Sequence, residues 1–207
     1  MIALSEFWIF IGGALLLNIT PGQDMAYTLA SAARGGRGSG LAAAGGVGAG
    51  SLGWSLIAAT GLAVALAASS SALVIIRIIG AIYLFYLAVR IVAKLDAPLE
   101  AQGVAPVGEA FRLGIFTNLF NPKVGLFFLA FLPGFTNPEA GSIWQQMLLL
   151  GGVFSLTSFV VLSGVAFGAS AVRNLLQDTK AIKIGLNVAT AILFTIIGFR
   201  LLLTNSL

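Results

Sequence analysis

The chain has 207 residues, of which 58% are hydrophobic and 9% charged, and its mean hydropathy is +1.02. A soluble domain carries about 25% charged residues, so the composition excludes a water-soluble fold and points to the membrane class. With no Cys and no His, disulfides, haem attachment, Cys/His zinc sites and a histidine proton relay are excluded, and the net charge of +4 bears on membrane orientation rather than on nucleic acid.

A helix needs roughly 20 apolar residues to cross the hydrocarbon layer. On that measure six spans are predicted: Phe7–Ala33, Leu41–Ala67, Ala72–Val92, Phe111–Leu132, Ile143–Ser170 and Ile182–Leu203. The opening "MIALSEFWIF" has no Lys or Arg and so lacks the positive region of a signal peptide; it is expected to be mature protein. The first connection, "RGGRGSG" (Arg34–Gly40), is basic. "ASSS" (Ala68–Ser71) is uncharged. "KLDAPLEAQGVAPVGE" (Lys94–Glu109) is polar and rich in Pro, Gly and Ala. "PGFTNPEAGS" (Pro133–Ser142) has one acid and no base, and "VRNLLQDTKAIK" (Val172–Lys183) has three bases.

Cytoplasmic connections carry the excess of Lys and Arg. Arg34, Arg37, Arg90, Lys94, Arg112, Arg173, Lys180 and Lys183 fall on one side, against Arg77 and Arg200 near helix ends on the other. The expected protein is therefore a multi-pass membrane protein with both termini outside, opposite the cytoplasm. A five-span arrangement with a re-entrant first stretch is the rival topology.

The halves resemble each other. Thr20-Pro21 in span one matches Asn121-Pro122 in span four, Gly45–Val47 matches Gly151–Val153, and "YLFYLAVR" ending at Arg90 matches "LFTIIGFR" ending at Arg200. The offsets of 101, 106 and 110 residues keep their order. Three spans per half make the second half run upside down, the inverted repeat of many secondary transporters. The expected organisation is all-α, with a first three-helix repeat over 1–93, a cytoplasmic linker over 94–109 and a second three-helix repeat over 110–207.

Both matched prolines read as helix starts. Thr20-Pro21-Gly22-Gln23 offers a Thr cap, a Pro at the first helical position and a capping-box Gln; Asn121-Pro122 offers an Asn cap and a Pro. Each lies near the middle of its span, so helices one and four are expected to break at mid-membrane. Their half-helix ends would present free N–H groups and positive dipole ends to an anionic group. The alternative is a simple proline kink satisfied by neighbouring helices.

Asp24 follows the first break by one turn and Lys123 directly follows the second. Charges at this depth cost on the order of 3 kcal/mol and call for a partner. The repeat would bring Asp24 and Lys123 to one cavity, with Asn118 on its wall. There Lys123 and the helix ends would hold a carboxylate, and Asp24 an ammonium or a coupling proton. A structural ion pair joining the halves is the alternative. Gly46 and Gly50 form a GxxxG pair expected to pack helices closely, and such faces make a homodimer an expected assembly. Trp8, Trp54, Tyr83 and Tyr86 are expected to anchor at the interface or to pack. "GGRGSG" lacks the ending and strand context of a phosphate loop.

"LNITPGQDMAYTLASAARGGRGSGLAAAGGVGAG", "AIYLFYLAVRIV" and "FRLGIFTNLFNPKVGLFFLAFLPGF" together resemble, in order and spacing over nearly the whole chain, the signatures of the LysE/RhtB family of amino-acid exporters. The resemblance implies an exporter of the bacterial inner membrane, moving an amino acid or related small metabolite by the proton gradient, with no cofactor. It carries the family motif onto Pro21, Gly22, Asp24, Asn118, Asn121, Pro122 and Lys123. One departure is visible: Gln23 stands where the family commonly has a second Pro. With Thr20 from the capping pattern, these residues are the expected substrate and coupling site. A metal-ion exporter is the competing class, disfavoured by the absence of His and Cys. A membrane enzyme or a non-transporting subunit is the third, and no nucleophile–base pair supports an enzyme.

Overall fold

The computed structural model describes residues 4–68, 78, 81, 82, 85, 86, 88, 89, 91–93, 106–169 and 180–203. The third predicted span lies largely outside the described residues, as do the connections at 69–71 and 170–179 and the 94–105 part of the linker. No strand occurs among the described residues. The elements are α1 (Leu4–Ile19), α2 (Gln23–Ala68), α3 (Val107–Leu119), α4 (Pro122–Leu126), a π-helical turn (Phe127–Phe131), 3₁₀ turns (Leu132–Phe135 and Pro138–Ala140), α5 (Ile143–Phe167) and α6 (Lys180–Leu203).

Among the described residues two helices are long and apolar enough to span a membrane, Gly35–Gly61 and Ile143–Phe167. Val107–Leu119 with Pro122–Phe135 forms a third such unit, bent by 52°. That bend is the break expected at Asn121-Pro122. The break expected in the first span is also present, since α1 stops at Ile19 and α2 starts at Gln23.

The connection predicted over Arg34–Gly40 is not a loop. Helix runs through it and only Gly36 leaves helical geometry, with φ 77° and ψ 179°. This region is open to glycine and costly for other residues, so a single residue turns the chain. The segments 23–35 and 37–68 then fold back on each other: a Cβ on Gly40 would come within 2.6 Å of Ala32 Cβ, and Met25 and Leu29 cluster with Ala44 and Val47.

The 37–68 segment is central and packs on α3 and α5. Its glycines permit near backbone contact with α3. A Cβ on Gly46 would strike the Phe111 carbonyl, and one on Gly50 would lie 2.8 Å from Asn118 Cβ. From the α3 side, a Cβ on Gly114 would lie 2.6 Å from the Ala43 carbonyl oxygen. In lipid, apolar burial adds no driving force from water, so this close packing is what holds helices together.

Beyond the second break the core is aromatic. Phe10 of α1 lies 5.9 Å from Phe127, 6.0 Å from Phe131 and 5.6 Å from Phe135, centroid to centroid. Phe154 of α5 closes the group, 4.8 Å from Phe127 and 5.0 Å from Phe128. The outside of the molecule is apolar as well: Trp8, Phe120, Leu156 and Val160 are all exposed. Thr20, Thr28, Ser31, Ser51, Asn118, Asn121 and Ser158 are buried. Polar inside and apolar outside is the distribution a lipid solvent demands.

Candidate functional site

The site is built where the two breaks meet. Asn121, extended at φ −79° and ψ 106°, caps α4: its Oδ1 accepts from the Lys123 backbone N–H at 3.0 Å, and Pro122 opens the helix. The cap predicted there is present. The cap predicted for Thr20 is not. Thr20 Oγ1 donates instead to the Leu16 carbonyl at 2.6 Å and hydrogen-bonds to the Thr190 hydroxyl of α6. The Gly22 carbonyl accepts from the Ala26 N–H, so Gly22 takes the capping place and helix resumes at Gln23. The reason is competition: a Thr hydroxyl just past the last turn of α1 finds the carbonyl four residues back before it finds the next helix.

Lys123 crosses from the second break to the first. Its Nζ donates to the Leu17 and Thr20 carbonyls, both at 3.1 Å. These are orphan carbonyls at the C-terminal end of α1, where a cation is favoured by the dipole as well as by the bonds. A Cβ on Gly22 would sit 3.1 Å from Nζ, so the bare glycine makes room for the ammonium. Asp24, in the first turn of α2, is at the end of the dipole that favours an anion. Its Oδ2 accepts from Asn118 Nδ2 at 2.9 Å.

Asn118 is the hub. Its Oδ1 accepts from Ser51 Oγ at 3.3 Å, and its backbone carbonyl accepts from Trp54 Nε1 at 3.2 Å and from the Asn121 N–H at 3.0 Å. Ser51 and Trp54 thus tie the central helix to both breaks. The composition of span two gave no signal for them, since a serine among glycines reads as packing and a tryptophan as an anchor. Asn18 of α1 adds a bond to Thr157 of α5 at 3.3 Å.

Asp24 and Lys123 face one enclosed cavity of about 10 Å³, room for a water-sized molecule. Its polar wall is Asn18, Thr20, Asp24 and Lys123, and its apolar wall is Leu17, Met25, Val124 and Leu162. Each charge is held by neighbours rather than by a closed ion pair with the other. Two buried groups at the break close no hydrogen bond, Asp24 Oδ1, an acceptor, and Asn121 Nδ2, a donor, although the Asn121 side chain lies beside the Asp24 carboxylate. Of the residues expected to form the site, Thr20, Asp24 and Lys123 line the cavity, Asn118 and Asn121 brace it, and Pro21, Gly22 and Pro122 shape the two breaks.

An uncharacterized membrane protein of Pseudomonas aeruginosa is 28% identical over 207 aligned residues, covering 97% of this chain and 96% of that protein. The leucine efflux proteins of Salmonella typhimurium and of an Enterobacter species are each 28% identical, covering 94% of this chain and 92% of theirs. No solved structure matches. The family model for the LysE type translocator matches residues 15–205, and the chain belongs to that family of membrane translocators.

Proposed function

We propose that the chain is a secondary exporter of a neutral amino acid with an apolar side chain, working in the bacterial inner membrane. The observation that carries this reading is the pair of unpartnered groups at the break. Asp24 Oδ1 and Asn121 Nδ2 offer one acceptor and one donor, which suit the ammonium and the carboxylate of one zwitterion. The apolar wall of Leu17, Met25, Val124 and Leu162 suits an aliphatic side chain. The leucine efflux relatives support the same substrate class.

A cavity of about 10 Å³ is far below the roughly 300–1,000 Å³ of a ligand pocket. The conformation is therefore closed, and transport requires the site to open first to one face and then to the other. Under the predicted orientation, with termini outside and the repeats inverted, the opening alternates between the two three-helix units. The proton gradient is the proposed driving force, with Asp24 the group that exchanges a proton for the substrate ammonium.

The test is uptake into inverted membrane vesicles energised to an acid interior. Leucine is expected to accumulate and lysine is not, and dissipating the pH gradient is expected to release the leucine. Accumulation of lysine in preference to leucine would overturn the substrate class, and accumulation that survives loss of the gradient would overturn the coupling.

A further inference from the structure

Among the described residues four buried hydroxyls have no hydrogen-bond partner, those of Thr28, Ser31, Ser55 and Ser163, and the first two share one short helical segment. Thr28 Oγ1 and Ser31 Oγ are fully buried and have no hydrogen-bond partner. A helical hydroxyl can commonly turn back to the carbonyl three or four residues earlier. Thr20, Ser51 and Thr195 use it here, bonding to Leu16, Val47 and Ala191. Thr28 and Ser31 do not. Ser31 sits beside the Tyr27 hydroxyl and closes no bond with it. A buried hydroxyl without a partner gives up its hydration and gains no bond in return, so two in the 23–35 segment call for an explanation.

Their spacing supplies one. Asp24, Thr28 and Ser31 stand at i, i+4 and i+7, on one face of the helix. The stripe starts at the carboxylate and rises about 10 Å, towards Gly36 and the exposed Arg37 just beyond it. It is flanked on one side by Tyr27, whose hydroxyl donates to the Ala110 carbonyl of α3 at 3.0 Å. On the other side are Met25 and Leu29, which pack with Val47, Leu162 and Val165.

The segment bearing the stripe, 23–35, is a rod between two joints. One joint is the break at 20–22 and the other is Gly36. Its neighbours form a unit that cannot slide, because the 37–68 segment and α3 meet nearly backbone to backbone at Gly46 and Gly114. We infer that the 23–35 rod swings off α3 and opens a hydrophilic crevice from the Arg37 face down to Asp24, lined by Thr28 and Ser31. The crevice is the entry route of the substrate, and its hydroxyls are solvated or substrate-bound when it is open. This rests on the exporter reading only for what passes through it.

The absence of native cysteine makes the test direct. Thr28→Cys and Ser31→Cys would each provide the only thiol in the full-length chain, probed with a membrane-impermeant methanethiosulfonate on inverted and right-side-out vesicles. Arg37→Cys and Glu139→Cys, both at exposed positions, mark the two faces. Both crevice thiols are expected to react in the orientation where Arg37→Cys reacts and to be protected in the other. Adding Tyr27→Phe, which removes the bond to Ala110, is expected to raise their labelling rate severalfold, and excess leucine to slow it severalfold. No labelling from either face, or labelling only from the Glu139 face, overturns the crevice. Leucine uptake measured on the same vesicles separates the readings: uptake without labelling refutes the route alone, and labelling without uptake refutes the exporter alone.

Discussion

Asn118 shows how one side chain can couple three helices. It reaches Asp24 in α2 with its amide nitrogen and Ser51 of the central segment with its amide oxygen. Asn118→Leu leaves a buried carboxylate oxygen of Asp24 unpaired, while the Ser51 hydroxyl keeps its bond to the Val47 carbonyl, and is expected to cost about 2 kcal/mol and to lower leucine transport at least tenfold; thermal unfolding in detergent and initial uptake rates check the two effects separately. Ser51→Ala removes only the neutral bond and is expected to cost about 1 kcal/mol or less. Lys123→Met is expected to destabilise the first break by about 1–3 kcal/mol, since the Leu17 and Thr20 carbonyls lose their donor. The sequence made Asp24, Asn118 and Lys123 legible because polar groups stand out in apolar spans. It did not show that Lys123 caps α1, because that depends on which helix end lies across the gap. Thr190, the partner of Thr20, was hidden for the same reason.

At the scale of elements, the two breaks were legible and their details only partly so. Asn121-Pro122-Lys123 was read as cap and first turn, and is one, because its chemistry is local: the cap bond spans two residues. Thr20 was read the same way and is not a cap, because a competing carbonyl and a hydroxyl 170 residues away take it. The glycine run at 34–40 reads as a loop by composition, yet Gly36 is the single residue with non-helical dihedrals. The glycines therefore divide by what surrounds them. Gly46→Ala drives a methyl into the Phe111 backbone and is expected to cost about 3 kcal/mol, whereas Gly12→Ala, with nothing within 4 Å, is expected to be neutral in the same melt. Gly36→Ala also has open space, and is expected to cost about 1–3 kcal/mol from its backbone conformation alone.

The whole molecule is arranged for lipid outside and polar chemistry inside. Composition alone made that legible, as it did the helical class. The outward apolar belt, the buried Thr, Ser and Asn side chains and the family match over 15–205 agree with it. What composition could not supply is the inequality of the two sides of the site. Beyond the second break, Phe10, Phe127, Phe131 and Phe135 pack ring to ring; towards Arg37, the 23–35 rod presents hydroxyls. On the exporter reading, the closed site is therefore sealed by apolar packing on one side and by a separable polar seam on the other. Substrate would enter through the seam and leave past the phenylalanines.

Leucine uptake into energised inverted vesicles decides whether Asp24 and Lys123 form the transport site. The wild type is expected to accumulate leucine, while Asp24→Asn and Lys123→Ala, inserted at normal levels, are each expected to fall to the rate of vesicles lacking the protein. Accumulation by both variants at the wild-type rate would contradict the account.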